Sequence, residues 1–346
     1  MNPGHEEQTD RTLRYFGIEV TRRCNLRCPH CFTAAGGPGQ PEPSAEQLCQ
    51  LLTELAGAGV RTVAFSGGEP LLRADLEKIM HHGRKAGISA YTLVTNGFLA
   101  MPGRATRLRE AGLRAVQVSV DGVDAVDHLA VRQCSSLDFY RALNAIRIFQ
   151  EAGMVVDVAT IVNETNAARA AEMLLLCEAL RVRSLRYCTF VPTGRGQDEE
   201  IQKEFEIAPE RLDAFFELMR TVQENAGSSV HMIIDHGIGP WDEPGSFRCD
   251  AGQNVAYISA EGDVYPCPGT VFAPFKVGNV YQDAVQDLIR SERMSCVRRI
   301  PKSTLADPCQ RCANEACSGG CRGAAFARSG SICGGVPYCN VIRRVA

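Results

Sequence analysis

The sequence predicts an α/β fold, a parallel sheet covered by helices, followed by a small cysteine-rich domain. Six short apolar runs recur between Tyr15 and about residue 225, and amphipathic helical segments fall between them. Alternation of this kind joins parallel strands through right-handed crossovers. Beyond that stretch the pattern changes. Nine of the 16 cysteines lie from Cys249 to Cys339, in a region rich in turns and poor in apolar residues that cannot build a core without bound metal.

The elements read in order as follows. The run YFGIEV (15–20) leads into a cysteine-bearing loop, TRRCNLRCPHCF (21–32). The helical stretch SAEQLCQLLTELAGAG (44–59) follows, with Ser44 and Gln47 at capping-box spacing. TVAFS (62–66), the helix ADLEKIMHHGRKAG (74–87), AYTLVT (90–95) and AVQVSV (115–120) come next. DFYRALNAIRIFQEAG (138–153), VVDVATIV (155–162), ARAAEMLLLCEALRV (168–182) and SLRYCTFV (184–191) complete the series. Six such repeats can form either an open doubly wound sheet or a partial barrel. In both, functional side chains gather at the C-terminal ends of the strands. After Thr221 a loop-rich segment with the lone Trp241 leads into the cysteine field, whose long helical stretch is YQDAVQDLIRSERM.

Composition narrows the function. The chain has 346 residues, 45% hydrophobic and 22% charged, with a formal charge of −3. That balance argues against a nucleic-acid surface, which shows as a basic excess. No apolar run reaches the roughly 18 residues of a membrane span, and the polar, mixed-charge N-terminus is not a signal peptide. The expected location is the cytoplasm, where clustered cysteines read as metal ligands before disulfides.

Cys24, Cys28 and Cys31 follow the first strand. A structural zinc site needs a fourth ligand, and His30, adjacent to Cys31, is badly placed to share one ion. A redox dithiol of Cys28 and Cys31 leaves Cys24 without a role. Three thiolates suit an iron–sulfur cluster with one iron left open to a substrate or cofactor.

This Cys-x3-Cys-x2-Cys loop resembles the signature of the radical S-adenosylmethionine (SAM) superfamily. SGGEP (66–70), TNG (95–97), SVDG (119–122) and VPTGRG (191–196) follow the second, third, fourth and sixth strands, as the family's segments do. Singly each reads equally well as a turn; in order, after their strands, they carry the resemblance across residues 15–225. It implies a partial (β/α)6 TIM-like barrel, with a flexible N-terminus over 1–14. It also implies that Cys24, Cys28 and Cys31 hold a 4Fe–4S cluster whose open iron chelates SAM. Gly67, Gly68 and Glu69 would receive the methionyl amino group, and Ser119 and Asp121 the ribose or carboxylate. Thr95 and Asn96 would join them, and Val191 would lie with the backbone that holds the adenine. His30 departs from the aromatic residue usual before the third cysteine; an imidazole can still pack over the cofactor.

The C-terminal spacing, Cys249-x12-Gly262-x4-Cys267 and then Cys309-x2-Cys312-x4-Cys317-x3-Cys321 with Cys339, is similar to the SPASM extension of that superfamily. A zinc ribbon is the alternative for such spacing. The resemblance implies a domain over 226–346 with two auxiliary 4Fe–4S clusters. Cys309, Cys312, Cys317 and Cys339 would bind the outer one, and Cys249, Cys267 and Cys321 the inner one. The inner cluster either keeps an open iron or recruits Cys333. Among the remaining cysteines, Cys49 and Cys177 read as small core residues. Cys188, at the end of a strand, is a candidate hydrogen-atom donor to a substrate radical as well as a packed barrel cysteine.

The implied reaction is reductive cleavage of SAM and hydrogen abstraction from an unactivated C–H, ending in oxidation or epimerisation of a natural product. It needs an external flavodoxin- or ferredoxin-like electron donor. Related peptide maturases commonly carry a fused leader-binding domain, whereas 14 residues precede the first strand here. The expectation is therefore a sugar- or aminoglycoside-like small molecule; a ribosomal peptide, recognised with a separate leader-binding protein, is the alternative. A non-catalytic zinc protein is the reading from a different class.

Overall fold

The computed structural model describes residues 15–40, 42–225, 227–234, 249–297, 300–313, 317, 319–336 and 339. Trp241 and the loop expected around it lie outside the described residues, as does the N-terminus over 1–14. The strands are β1 (Tyr15–Thr21), β2 (Thr62–Gly67), β3 (Ala90–Thr95), β4 (Leu113–Ser119), β5 (Val155–Val162), β6 (Ser184–Thr189), β7 (His231–Ile234), β8 (Val255–Ile258), β9 (Asp263–Tyr265) and β10 (Gly278–Asn279). The helices are α1 (Ala45–Gly57), α2 (Leu76–Ala86), α3 (Pro102–Ala111), α4 (Ala125–Arg132), α5 (Ser136–Glu151), α6 (Ala170–Ala179), α7 (Glu199–Phe205), α8 (Pro209–Asn225), α9 (Val285–Arg290) and α10 (Arg322–Ser329).

One sheet holds all ten strands, in the order β10-β9-β8-β1-β2-β3-β4-β5-β6-β7. From β1 to β7 every neighbour is the next strand in sequence and runs parallel to it. A doubly wound sheet reverses its strand order at a switch point. From β1 to β7 this sheet does not, and β7 does not pair with β1, so the wall they form is that of an open, partial barrel.

Strand alternation explains which residues face where. Ile18, Val20, Val63, Phe65, Tyr91, Leu93, Val116, Val118, Val156, Val158, Leu185 and Tyr187 are buried in one core with the helices. α1 contributes Leu48, Leu51, Leu52 and Leu55, the spacing of one helical face, and each buried leucine stabilises by about 1.5–3 kcal/mol. Its start is fixed by the expected capping box. The Gln47 amide donates to Ser44 Oγ at 3.2 Å, and the Ser44 amide donates to Gln47 Oε1 at 2.8 Å. The alternate positions, among them Thr92, Val94, Gln117, Ser119, Arg186 and Cys188, are half-buried and point into the lumen.

The cysteine-rich segment shares this sheet. β8 adds to β1 in parallel register from Tyr15↔Val255 to Ile18↔Ile258, and β9 and β10 extend it antiparallel. Gly17 makes the join possible, because a Cβ there would meet the Tyr257 ring at 2.8 Å. Tyr257 in turn donates to Glu19 Oε1 at 3.0 Å, and the other Glu19 oxygen accepts from Arg22 Nε at 2.9 Å. The boundary expected near residue 225 therefore divides the sequence without dividing the sheet. Among the described residues no helix is long and apolar enough to cross a membrane.

Candidate active site

The cysteine loop leaves β1 through an irregularity in its pairing with β2, between Glu19 and Thr21. A bulge of this kind re-aims the chain at a strand end. Behind it the Gly-Gly-Glu segment pairs backbone to backbone. The Gly68 amide donates to Thr21 O at 2.7 Å and the Glu69 amide to Arg23 O at 2.9 Å. Gly67 has φ +121, and a Cβ there would sit 2.1 Å from Thr21 O; one on Gly68 would sit 2.2 Å from Arg23 O. The two glycines are thus required by contact with the end of β1 and the start of the loop that carries Cys24.

Glu69 is fully buried. Its Oε1 accepts from the Leu71 amide at 3.0 Å and from Thr95 Oγ1 at 2.8 Å, and its Oε2 accepts from the Asn96 amide at 2.8 Å. Three donors on an acceptor-only group describe an ionised carboxylate with one lone-pair site to spare. Burial raises its pKa, and these hydrogen bonds work against that rise. Expected as a direct partner of the cofactor's amino group, Glu69 spends most of its capacity joining the loops after β2 and β3. Asn96 carries the link onward, its Nδ2 donating to Asn25 Oδ1 at 2.9 Å, inside the cysteine loop.

Asp121, expected near the cofactor's ribose or carboxylate, is also turned inward. It is fully buried; Oδ1 accepts from the Ile161 amide at 2.7 Å and Oδ2 from Arg132 Nε at 2.5 Å. Burial opposes the charge most strongly, but Arg132, helped by His30, His128 and the Ile161 amide, holds the Asp121 pKa below the ordinary carboxylate value. Arg132 Nη1 lies 3.9 Å from Cys28 Sγ, so Asp121 positions a guanidinium on a cysteine of the loop. Ser119 is the member of this motif that faces the lumen.

His30 is buried and neutral, its pKa pushed down to about 4 mainly by burial. It bonds Val131 O at 3.2 Å and packs on Phe205 with ring centroids 5.3 Å apart. The departure from an aromatic residue at this position is thus absorbed by aromatic packing. The VPTGRG segment beginning at Val191 clamps the other side of the loop. The Arg195 amide donates to Cys31 O at 3.1 Å, Nε to Cys28 O at 2.9 Å and Nη1 to Ala35 O at 2.6 Å. Asn25, Arg132 and Arg195 were not singled out from the sequence. Asn25 and Arg195 lie inside motifs that were, whereas Arg132 carries no sequence signal.

The three thiols fit an iron–sulfur cluster. Cys28 is buried and Cys24 and Cys31 are half-buried, and burial pushes Cys24 up to about 11, with Cys28 and Cys31 among its electrostatic neighbours. Among the described residues no three His, Cys, Asp or Glu side chains converge tightly enough to hold a single ion. What fits is the donor set, three thiols without a nitrogen or oxygen ligand among them.

The second cysteine field forms two groups. Cys267, pushed up to about 12 by burial, has Cys321 and Cys249 among its electrostatic neighbours. Cys309, pushed up to about 11 by burial, has Cys339, Cys317 and Cys312 among its own. The first group is assembled by close contact, since a Cβ on Gly323 in α10 would sit 1.8 Å from Gly269 O. Cys249 and Cys267 also share an apolar cluster with Tyr257 and Phe32, and the Phe32 and Tyr257 rings lie 5.9 Å apart. Phe32, next to Cys31 in the chain, thus joins the end of the cysteine loop to the apolar cluster of this group. Cys188 lies on β6 opposite Ile161, and Cys177 is fully buried in the core.

Comparison with known proteins agrees with this arrangement. A model of the radical SAM superfamily matches residues 18–177, and one of the SPASM iron–sulfur cluster-binding domain matches residues 249–313. The chain belongs to the radical SAM superfamily and carries a C-terminal SPASM domain, so its cofactors are SAM and 4Fe–4S clusters. It is 28% identical over 345 residues to the AdoMet-dependent heme synthase of Methanosarcina barkeri, covering 94% of this chain and 96% of that one. It is 29% identical over 343 residues to the mycofactocin maturase MftC of Mycobacterium tuberculosis, covering 93% and 81%. The fold matches that of SuiB from Streptococcus suis bound to S-adenosylmethionine, with a TM-score of 0.74, 16% identity, and coverage of 95% and 78%. It also matches anSMEcpe with bound AdoMet, with a TM-score of 0.73, 21% identity, and coverage of 95% and 91%.

Proposed function

We propose that this enzyme cleaves SAM reductively, abstracts hydrogen from an unactivated C–H and oxidises a natural-product substrate. The observation that carries the reading is the cysteine loop itself, fixed from three sides by Glu69–Asn96–Asn25, Asp121–Arg132 and Arg195, with Phe32 at its end packed into the apolar cluster that includes Cys249 and Cys267. Cys24, Cys28 and Cys31 would hold the SAM-binding cluster, and bound SAM supplies a 5′-deoxyadenosyl radical. The Gly67–Gly68 backbone, Thr95, Asn96, Ser119 and the backbone at Val191 would orient the cofactor in a lumen that excludes water. Cys249, Cys267 and Cys321 would hold an inner auxiliary cluster, and Cys309, Cys312, Cys317 and Cys339 an outer one. The apolar cluster that Cys249 and Cys267 share with Phe32, the residue after Cys31, supports removal of an electron after hydrogen abstraction, hence a net oxidation. A flavodoxin- or ferredoxin-like protein would reduce the first cluster.

The names of the relatives point to a haem-type macrocycle or a mycofactocin-type product. The sugar- or aminoglycoside-like substrate expected from the sequence has no counterpart among those names. Cys188 faces the lumen and supports a redox-neutral variant of the reaction in which its thiol returns a hydrogen atom. Turnover by Cys188→Ala with an unchanged product excludes that variant. The reaction class is tested by anaerobic incubation with dithionite and SAM. Release of 5′-deoxyadenosine by the intact protein and none by Cys24→Ala is the expected result; equal release from both contradicts it.

A further inference from the structure

Arg322 opens α10 directly after Cys321 and is 2% exposed. Its Nε donates to Gly320 O at 3.2 Å, and its Nη1 donates to Ile332 O at 3.1 Å and Gly334 O at 2.7 Å. Those bonds tie two loops of the cysteine field. They leave Nη2 buried with no hydrogen-bond partner among the described residues. The group lies against Gly319, where a Cβ would meet Nη2 at 2.5 Å, so only glycine leaves room for it between Cys317 and Cys321.

A tie between carbonyls needs donors and no charge. Burying a guanidinium is costly unless an anion accompanies it, and among the described residues no carboxylate does. The groups within electrostatic reach are the thiols of Cys309, Cys321, Cys317 and Cys333. As thiols they carry no compensating charge; as thiolates of an iron–sulfur cluster they carry an excess of it. The residues thus fit a cluster that supplies the missing anion.

We propose that Arg322 is the counter-cation of the auxiliary iron–sulfur site, offering its unspent Nη2 N–H groups to the cluster's sulfur ligands. A fixed cation favours the more negative, reduced form of a cluster, and hydrogen bonds to the sulfurs act in the same direction. Arg322 therefore raises the auxiliary potential and makes that cluster the better electron acceptor. The inference rests on the auxiliary-cluster reading above, whose failure reads differently: intact protein holding only about four irons per chain.

The test is an EPR-monitored redox titration of the anaerobically reconstituted full chain, with the N-terminal cluster as internal reference. R322Q is expected to lower an auxiliary midpoint so that its reduced fraction at fixed potential falls about tenfold, or ~59 mV for a one-electron couple. R322K, which keeps the charge, is expected to shift it less, and the reference cluster is expected not to move. If R322Q loses auxiliary iron, R322K decides. Retention of iron in R322K supports the counter-charge role. Equal loss in both variants overturns it, because the guanidinium then serves only to tie the loops. Unchanged midpoints in fully loaded R322Q overturn it as well.

Discussion

Glu69→Ala is expected to destabilise the barrel by about 3 kcal/mol or more and to abolish SAM cleavage. The substitution strands three buried donors, the Leu71 and Asn96 amides and the Thr95 hydroxyl, and a buried unsatisfied group costs about 1–3 kcal/mol. It also cuts the chain of bonds from the β2 loop through Asn96 to Asn25, so the cysteine loop loses one of its three anchors. Glu69→Gln keeps the shape but turns an N–H2 group toward a donor on one side, and its loss should be intermediate. Chemical denaturation together with the 5′-deoxyadenosine assay checks the pair. An alanine variant with wild-type stability and yield contradicts the anchoring role.

Arg132→Leu is expected to cost about 3–5 kcal/mol at neutral pH, the effect of removing one partner of a buried ion pair. Its pH dependence distinguishes it from a packing defect. In the intact protein Arg132 holds the Asp121 pKa below its unfolded value. That depressed carboxylate contributes stability that is fully present above the unfolded pKa, about 3.9. It is lost as pH falls through the lower folded value. Without Arg132, burial is opposed only by the Ile161 amide and the nearby His30 and His128, so the Asp121 pKa rises and the variant regains stability as that carboxylate protonates. The difference in urea midpoint between the two proteins should therefore be largest near pH 7 and narrow as pH falls. A difference that stays constant with pH, or that Asp121→Asn fails to reduce in the double variant, contradicts the coupling.

Much of this architecture is legible in the sequence because it rests on local periodicity. The six strand-like runs fall on β1 to β6, and the Ser44–Gln47 capping box forms as spaced. The quoted motifs fall at strand ends because crossover topology leaves them nowhere else. What was not legible depends on tertiary approach. Nothing local says that Tyr257 will lie over Gly17, so the extension of the sheet by β8 to β10 was not anticipated. Glu69 and Asp121 read as facing the cofactor because the family resemblance of SGGEP and SVDG implies it. Their inward turn follows from Thr95, Asn96 and Arg132, which only the folded chain brings to them. Arg132 and Arg322 are invisible for the same reason, since a buried arginine is defined by its surroundings and not by its neighbours in sequence.

Iron stoichiometry tests the central claim most directly. Anaerobically reconstituted protein should bind about twelve irons per chain, and a Cys24→Ala/Cys28→Ala/Cys31→Ala variant about eight, with no release of 5′-deoxyadenosine. Zinc in place of iron, without the absorbance near ~400 nm of an iron–sulfur chromophore, would contradict it.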